Sequence, residues 1–504
     1  MLKKRSSVLI AGLAVLLGIV PVANAQSDVE VNAGIRFNFT PPGARSLGMG
    51  GAFLALADDA TAAVTNPAGL IQLQKPEIMV EGLSSDFTTV FADGGRRFGS
   101  PSRVAVPMTR SEKECTVELV GSCLDTFSKI QFGESDSSTS GLSFLSFVYP
   151  RDRWSLALYR HELANFEASF RRQGPFFPGK EAAGDVFAFR VFPADAQTDL
   201  EIINWGVSGA FQVNEVFSIG AGVSLADFSL DSVTKRYHPQ GPFIDEFGNY
   251  LPEAQGGTRD SLNRFLPGQF IATNLNKTDI EAGDDDDVSF NLGLLITPRG
   301  SRWTIAASYR EGPEFDLPVT SVFGPSSDFC ADGQTKQCAF LATGLPAREG
   351  DEELTQHKFK VPDSYGVGFS FAASDNLTLS LDFMRVLYSQ MARSRSPEVP
   401  YDASDTNEVH LGLEWRLDAE NPVFLRAGIW RDPDHRFAID DNDVDRDISN
   451  HLRKGSIFLE GSDETHYSLG AGIVINNNFL IDAAVDFSDP VTTATAAFTI
   501  RFGT

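Results

Sequence analysis

Arg310, Arg416 and Arg426 fall on the polar side of alternating stretches. A guanidinium can grip a carboxylate through two parallel hydrogen bonds, so these three are candidate holders of an acidic head group. The competing use is an ion pair with acids on the same side, such as Glu414, and it suits the residue types better. Four cysteines form two pairs with the same eight-residue step, Cys115 with Cys123 and Cys330 with Cys338. An even count in an exported chain predicts disulfides, here one inside each of two long loops. Zinc is disfavoured, because no histidine or second cysteine lies at finger spacing. Two acidic runs, Asp284-Asp285-Asp286-Asp287 and the stretch over 440–447, read as solvated residues of external loops. The EF-hand pattern fails: its turn glycine is missing, and Leu452 stands where a bidentate glutamate belongs. No metal is expected, although divalent ions shared with a lipopolysaccharide surface remain a use for such acids.

Catalysis leaves no trace in the chain. There is no G-x-S-x-G, H-E-x-x-H, C-x-x-C or dinucleotide fingerprint, and the seven histidines are scattered. A Ser/His site could meet only in space and has no support here. Gly48-Met49-Gly50-Gly51 is no phosphate loop, since neither a strand before it nor a GK[ST] after it is present. The reading is a non-enzyme without a cofactor. A formal charge of −25 repels nucleic acid.

The elements that carry these residues are strands. Val409, Leu411, Leu413, Trp415 and Leu417 alternate with His410, Gly412, Glu414 and Arg416. A period of two sends successive side chains to opposite faces of a sheet. Apolar residues outside and charges inside reverse the order of a soluble sandwich; this is the pattern of a barrel in lipid with a polar lumen. Met1-Leu2-Lys3-Lys4-Arg5, an apolar run over 8–20 and Ala23-Asn24-Ala25 read as a secretory leader over 1–25. No run of eighteen apolar residues follows. An exported chain whose strands look made for lipid belongs in an outer membrane, because only helices and closed barrels satisfy every backbone group in hydrocarbon.

About fourteen strands are expected, near 78–90, 141–149, 154–171, 200–213, 217–234, 288–297, 303–311, 359–372, 377–388, 407–417, 422–431, 466–475, 479–487 and 493–502. Turn-rich short joins such as Asn214-Glu215 and Asn476-Asn477-Asn478 alternate with long connections. Trp154, Trp303 and Trp415 sit beside short joins, where an aromatic belt belongs. The long connections are rich in phenylalanine. Phe243, Phe247 and Phe265 in the third, and Phe315, Leu317, Val322 and Phe323 in the fourth, suit an outward apolar surface where a hydrophobic ligand first lands. Forty Phe against nine Tyr exceeds what the belts need.

Residues 26–76 do not alternate. They hold Gly-Met-Gly-Gly-Ala-Phe over 48–53, Ala57-Asp58-Asp59-Ala60 and Asn66-Pro67-Ala68, and they read as short helices with tight bends. These elements resemble the N-terminal hatch of the FadL/TodX family of outer-membrane transporters of long-chain fatty acids and hydrocarbons. The resemblance implies a fourteen-strand barrel over 77–504 plugged by residues 26–76, with Asn66, Pro67 and Ala68 against the inner wall. It also implies capture at outer loops, an inner pocket and a lateral exit at a kinked third strand. In that strand Trp154, Leu156 and Leu158 face out, and the same register puts Arg160 and Glu162 out, before Phe166, Ala168 and Phe170. A bulge, an opening or a place at the interface could each accommodate those charges. The resemblance favours an opening near Arg160, His161 and Glu162. The function so implied is passive transport of hydrophobic small molecules by a monomer, set among outer-membrane lipid and lipopolysaccharide after insertion by the barrel-assembly machinery. The rivals are a porin for polar solutes and a barrel serving secretion or surface assembly.

Overall fold

The computed structural model describes residues 41–95, 130–172, 176–180, 186–190, 194–237, 244–245, 275–323, 352–391, 401–439, 461–489 and 491–503. The first of these segments holds two short helices, α1 (Ala44–Gly48) and α2 (Ala62–Thr65), and a 3-10 turn over Pro67–Gln72. Fourteen barrel strands follow, and five further short strands form two small separate sheets. They are β1 (Glu77–Gly95), β2 (Ile130–Pro150), β3 (Trp154–Arg172), β4 (Ala194–Gln212), β5 (Phe217–Tyr237) and β6 (Leu275–Ile296). Next come β7, in two pieces (Trp303–Arg310 and Glu314–Phe323), and β8, also in two (Glu352–Lys360 and Ser364–Ala372). The last six are β9 (Leu377–Val386), β10 (Thr406–Leu417), β11 (Val423–Asp432), β12 (Glu464–Ile475), β13 (Phe479–Phe487) and β14 (Val491–Arg501). Each pairs antiparallel with the next, and β1 pairs with β14, Ile78 opposite Ile500, so the sheet closes. The strand count read from alternation holds. Among the described residues no helix is long and apolar enough to cross a membrane.

The barrel is inside out relative to a soluble protein. Leu156, Leu158, Trp205, Val207, Leu411 and Trp415 are among the exposed side chains. Glu77, Asp382, His410, Glu414, Arg426 and Asp482 are buried. Such a surface is stable only against hydrocarbon, and closure leaves no strand edge to satisfy there.

The wall is taller on one side. Strands β1 to β6 run 19 to 22 residues, whereas β9 to β14 run 9 to 12. A tilted strand crosses hydrocarbon in about 9–11 residues, so the tall side projects beyond the membrane. Along β5 the two faces exchange character without a break. Outward Val223 and Leu225 give way to Asp227, Ser229 and Asp231, while inward Ser218 and Ser224 give way to Ala226, Phe228 and Leu230. The lumen is therefore polar in its inner half and apolar in its outer half.

This height corrects the loop assignments. Asp284 to Asp287 lie within β6, opposite Ser229 to Ala226 of β5. Phe315, Leu317, Val322 and Phe323 belong to the outer piece of β7. The expectation missed them because the membrane pattern, apolar outward, ends where these residues begin. Asp285 and Asp287 also have a bonding role. Their carboxylates accept the Asp316 and Glu314 amides, at 2.7 and 2.8 Å, where β6 and β7 part.

Candidate functional site

The helical segment lies inside the lumen, at the end of the short joins. Ala44, Phe53, Ala57, Ala62 and Ala68 are fully buried. Small side chains let its backbone approach the wall, and the wall meets it with glycine. A Cβ on Gly293 of β6 would fall 2.1 Å from Asn66 Oδ1, and one on Gly428 of β11 would fall 2.2 Å from the Gly50 nitrogen. Asn66 caps the 3-10 turn by accepting the Ala68 amide, with Pro67 at its first position. Its Nδ2 donates to the carbonyls of Leu54 (3.0 Å) and Leu294 (3.3 Å), tying the segment to β6. Asp59 accepts the Thr61 amide at 2.9 Å, and burial pushes its carboxyl above the usual range.

Charged anchors complete the seat. Arg45 of α1 reaches Glu414 of β10 through two parallel bonds, Nε to Oε2 at 2.8 Å and Nη2 to Oε1 at 2.9 Å, and it also pairs with Asp58. Arg426 joins Glu414 (2.7 Å) to Asp482 (2.6 Å). Asp382 Oδ2 accepts the amides of Phe53 (2.6 Å) and Leu54 (2.8 Å). Sequence reasoning had no partner for Arg45 or Asp382. A charge on the lumen face of β9 was the signal available.

Above this segment the lumen is apolar. Phe87, Leu163, Phe166, Phe170, Ile202, Phe228, Phe315 and Phe359 belong to one buried cluster. Stacked pairs step down it: Phe91 on Phe170 at 4.8 Å, then Phe87 on Phe166 at 5.1 Å, with Phe228 on Phe315 at 4.5 Å across the way. Each such ring contributes roughly 1.5–3 kcal/mol by its burial.

The wall parts beside this column. Strands β2 and β3 pair from Pro150 opposite Ser155 to Phe144 opposite His161, and no further, although both continue. Each bulges just past the last pair. Ser143 is the extra residue against β1, and Leu163 the extra residue against β4. The Leu163 bulge corrects the expected register: Phe166, Ala168 and Phe170 face the lumen, and Glu167, Ser169 and Arg171 face out. Arg160 is covered, 8% exposed, with Nη2 3.7 Å from Glu162 and 3.9 Å from Glu201. From Trp154 to Glu162 is nine residues, so the gap opens near the outer boundary of the apolar belt. A cavity of about 140 Å³ lies there, lined by Pro41 to Gly43, by Glu81 and Phe87 of β1, and by His161 to Phe166 of β3.

The other candidates are dispersed. Arg310 is half-buried near Tyr159 and His161. Arg426 is held between Glu414 and Asp482, and the half-exposed Arg416 pairs with Asp418 at 2.9 Å beside a short join. Phe323 ends the outer piece of β7. Phe243, Phe247, Phe265, the four cysteines, the 440–447 run and the leader lie outside the described residues. Among the described residues no group of three or more His, Cys, Asp or Glu is placed to hold a metal.

The family model for outer membrane protein transport proteins (OMPP1/FadL/TodX) matches residues 193–495. Among solved structures the chain is similar to CymD, a monoaromatic hydrocarbon channel, with 16% identity, a TM-score of 0.53 and coverage of 93% of this chain and 100% of that one. It is similar to a Pseudomonas aeruginosa FadL homologue at 15% identity and a TM-score of 0.55, covering 93% and 99% of the two chains. The Ralstonia pickettii toluene transporter TbuX gives 15% identity and a TM-score of 0.50, covering 92% and 100%. No curated protein matches the sequence.

Proposed function

From the premise that this chain belongs to the outer membrane protein transport family (OMPP1/FadL/TodX), we propose that it passes hydrophobic small molecules inward by diffusion and releases them sideways between β2 and β3. The observation that carries this reading is the apolar outer lumen, whose aromatic column runs from Phe91 and Phe170 down to the cavity at the gap. A hydrophobic solute landing at the outer end loses water contact against these rings and keeps apolar partners to the wall opening, a gradient that needs no energy source. The inner lumen offers no such path. It is filled by the segment that Arg45, Asp382 and Asn66 anchor, which supports its role as a hatch. The names of CymD and TbuX, channels for monoaromatic hydrocarbon and toluene, point to the same class of solute.

The reading includes export by the 1–25 leader, insertion as a monomer by the barrel-assembly machinery, outer-loop contact with lipopolysaccharide, and local Cys115–Cys123 and Cys330–Cys338 disulfides. No bond of the solute is made or broken. Cells lacking the protein, compared with cells producing it, should take up labelled toluene several-fold more slowly at limiting concentration. Uptake of a small sugar should be unchanged. Equal toluene uptake, or a change in sugar uptake alone, would reject this function in favour of a porin or a role outside transport.

A further inference from the structure

The gap contains buried polar atoms that no described residue satisfies. Among the described residues His161 Nδ1, Glu81 Oε2 and Arg160 Nη1 have no hydrogen-bond partner. His161 is 6% exposed and Glu81 1%. Glu81 Oε1 accepts Ser143 Oγ at 2.9 Å. The Gly43 amide and the Thr495 hydroxyl lie beside the carboxylate, yet neither gives Oε2 a bond of hydrogen-bonding geometry. Buried polar groups are nearly always paired, so two atoms on one cavity without a partner among the described residues suit a ligand that brings its own donor and acceptor.

The cavity defines that partner. Its volume, about 140 Å³, is close to that of a cavity that holds one benzene ring, about 150 Å³. Leu83, Phe87, Leu163 and Phe166 line its apolar side; His161 and Glu81 line its polar side. Glu162 lines it too, and Arg310 and Arg160 beside His161 offset the two carboxylates, so a neutral ligand leaves the charge of the site balanced. The nearby Arg160 is already shared between Glu162 and Glu201.

We propose that this cavity binds a neutral single-ring compound bearing a hydroxyl group, a phenol in chemical class. The ring lies against Phe87, Leu163 and Phe166. The hydroxyl donates to Glu81 Oε2 and accepts from His161 Nδ1 in the tautomer that carries its proton there. This rests on the hydrophobic-transport reading and narrows it: the exit distinguishes a hydroxylated ring from a bare one and from an aromatic acid.

The test is equilibrium dialysis of the full-length protein in detergent with labelled p-cresol, toluene and p-toluate. p-Cresol should bind about tenfold more tightly than toluene, as expected for a hydrogen bond made to an otherwise unpaired buried group, and p-toluate should bind least. His161→Phe keeps an aromatic ring and removes the nitrogen. It should abolish the preference for p-cresol and leave toluene binding unchanged, with heat-modifiable migration on gels reporting the fold. Equal binding of p-cresol and toluene by the unaltered protein would overturn the phenol assignment while leaving hydrophobic passage intact. Binding of neither would overturn both. A p-cresol preference that survives His161→Phe would overturn the placement in this cavity. The comparison on the unaltered protein decides the class even if the variant does not fold.

Discussion

Replacing Arg45 and Asp382 together with alanine should turn a tight barrel into a leaky one, with single-channel ion conductance in planar bilayers rising at least tenfold. Arg45 makes the two-pronged bond to Glu414, and Asp382 receives the Phe53 and Leu54 amides. Removing one partner of a fully buried ion pair costs about 3–5 kcal/mol, and this part-buried pair, whose glutamate keeps Arg426, lies below that range. Losing the acceptor of two buried amides costs a further ~1–3 kcal/mol for each amide left unpaired. Those losses fall on the seat of the segment and not on the strand ladders. Glu414 also keeps Arg426 as its partner, so the wall retains its own ion pair. The barrel should still migrate as a folded, heat-modifiable species. Conductance equal to that of the unaltered protein would show that this segment does not occlude the lumen.

Deleting Ser143 and Leu163 together should lower uptake of a hydrophobic solute at least tenfold. Each is the single extra residue of a bulge, one against β1 and the other against β4. Removing an extra residue restores simple alternation. Phe166, Ala168 and Phe170 keep their inward face, because the residues after Leu163 already occupy the phase that a straight strand would give them. The two strands then meet a straight register past Phe144 and His161, and the ladder can continue. The apolar lumen is preserved and only the wall opening is lost. Undiminished uptake by a folded variant would place the exit elsewhere.

The membrane-crossing part of this fold was legible in the sequence because lipid and lumen impose opposite tastes on alternate residues. Val409 to Leu417 gave face and strand from types alone. The same rule failed above the bilayer. There Asp227, Ser229 and Asp231 face water and Phe228 and Leu230 face the lumen, which is the soluble pattern; β3 and β5 were still read nearly to their ends, but the outer parts of β2 and β6 read as loops. Asp284 to Asp287 were misplaced for this reason. The opening was half legible: Arg160 and Glu162 broke the outward pattern of β3, but the residue that absorbs the break, Leu163, is an ordinary leucine. The docking of Asn66 against Gly293 was not legible, since a glycine in a strand gives no sign of which backbone approaches it. Among the arginines, the alternation marked Arg426 correctly as inward, and only the structure shows two acids already holding it.

Passage through the gap itself is best tested by closing and reopening it in one protein. Glu162 Oε2 lies 3.2 Å from where a Cβ on Gly141 would stand, so these two positions face each other across the opening. With Gly141→Cys and Glu162→Cys in protein whose four native cysteines are serine, a short thiol-reactive linker containing a reducible disulfide can span them. Toluene uptake into cells should fall at least tenfold when the linker is in place and return when it is reduced, while the ion conductance stays unchanged throughout. Uptake that continues at full rate through the linked protein would contradict lateral release between β2 and β3.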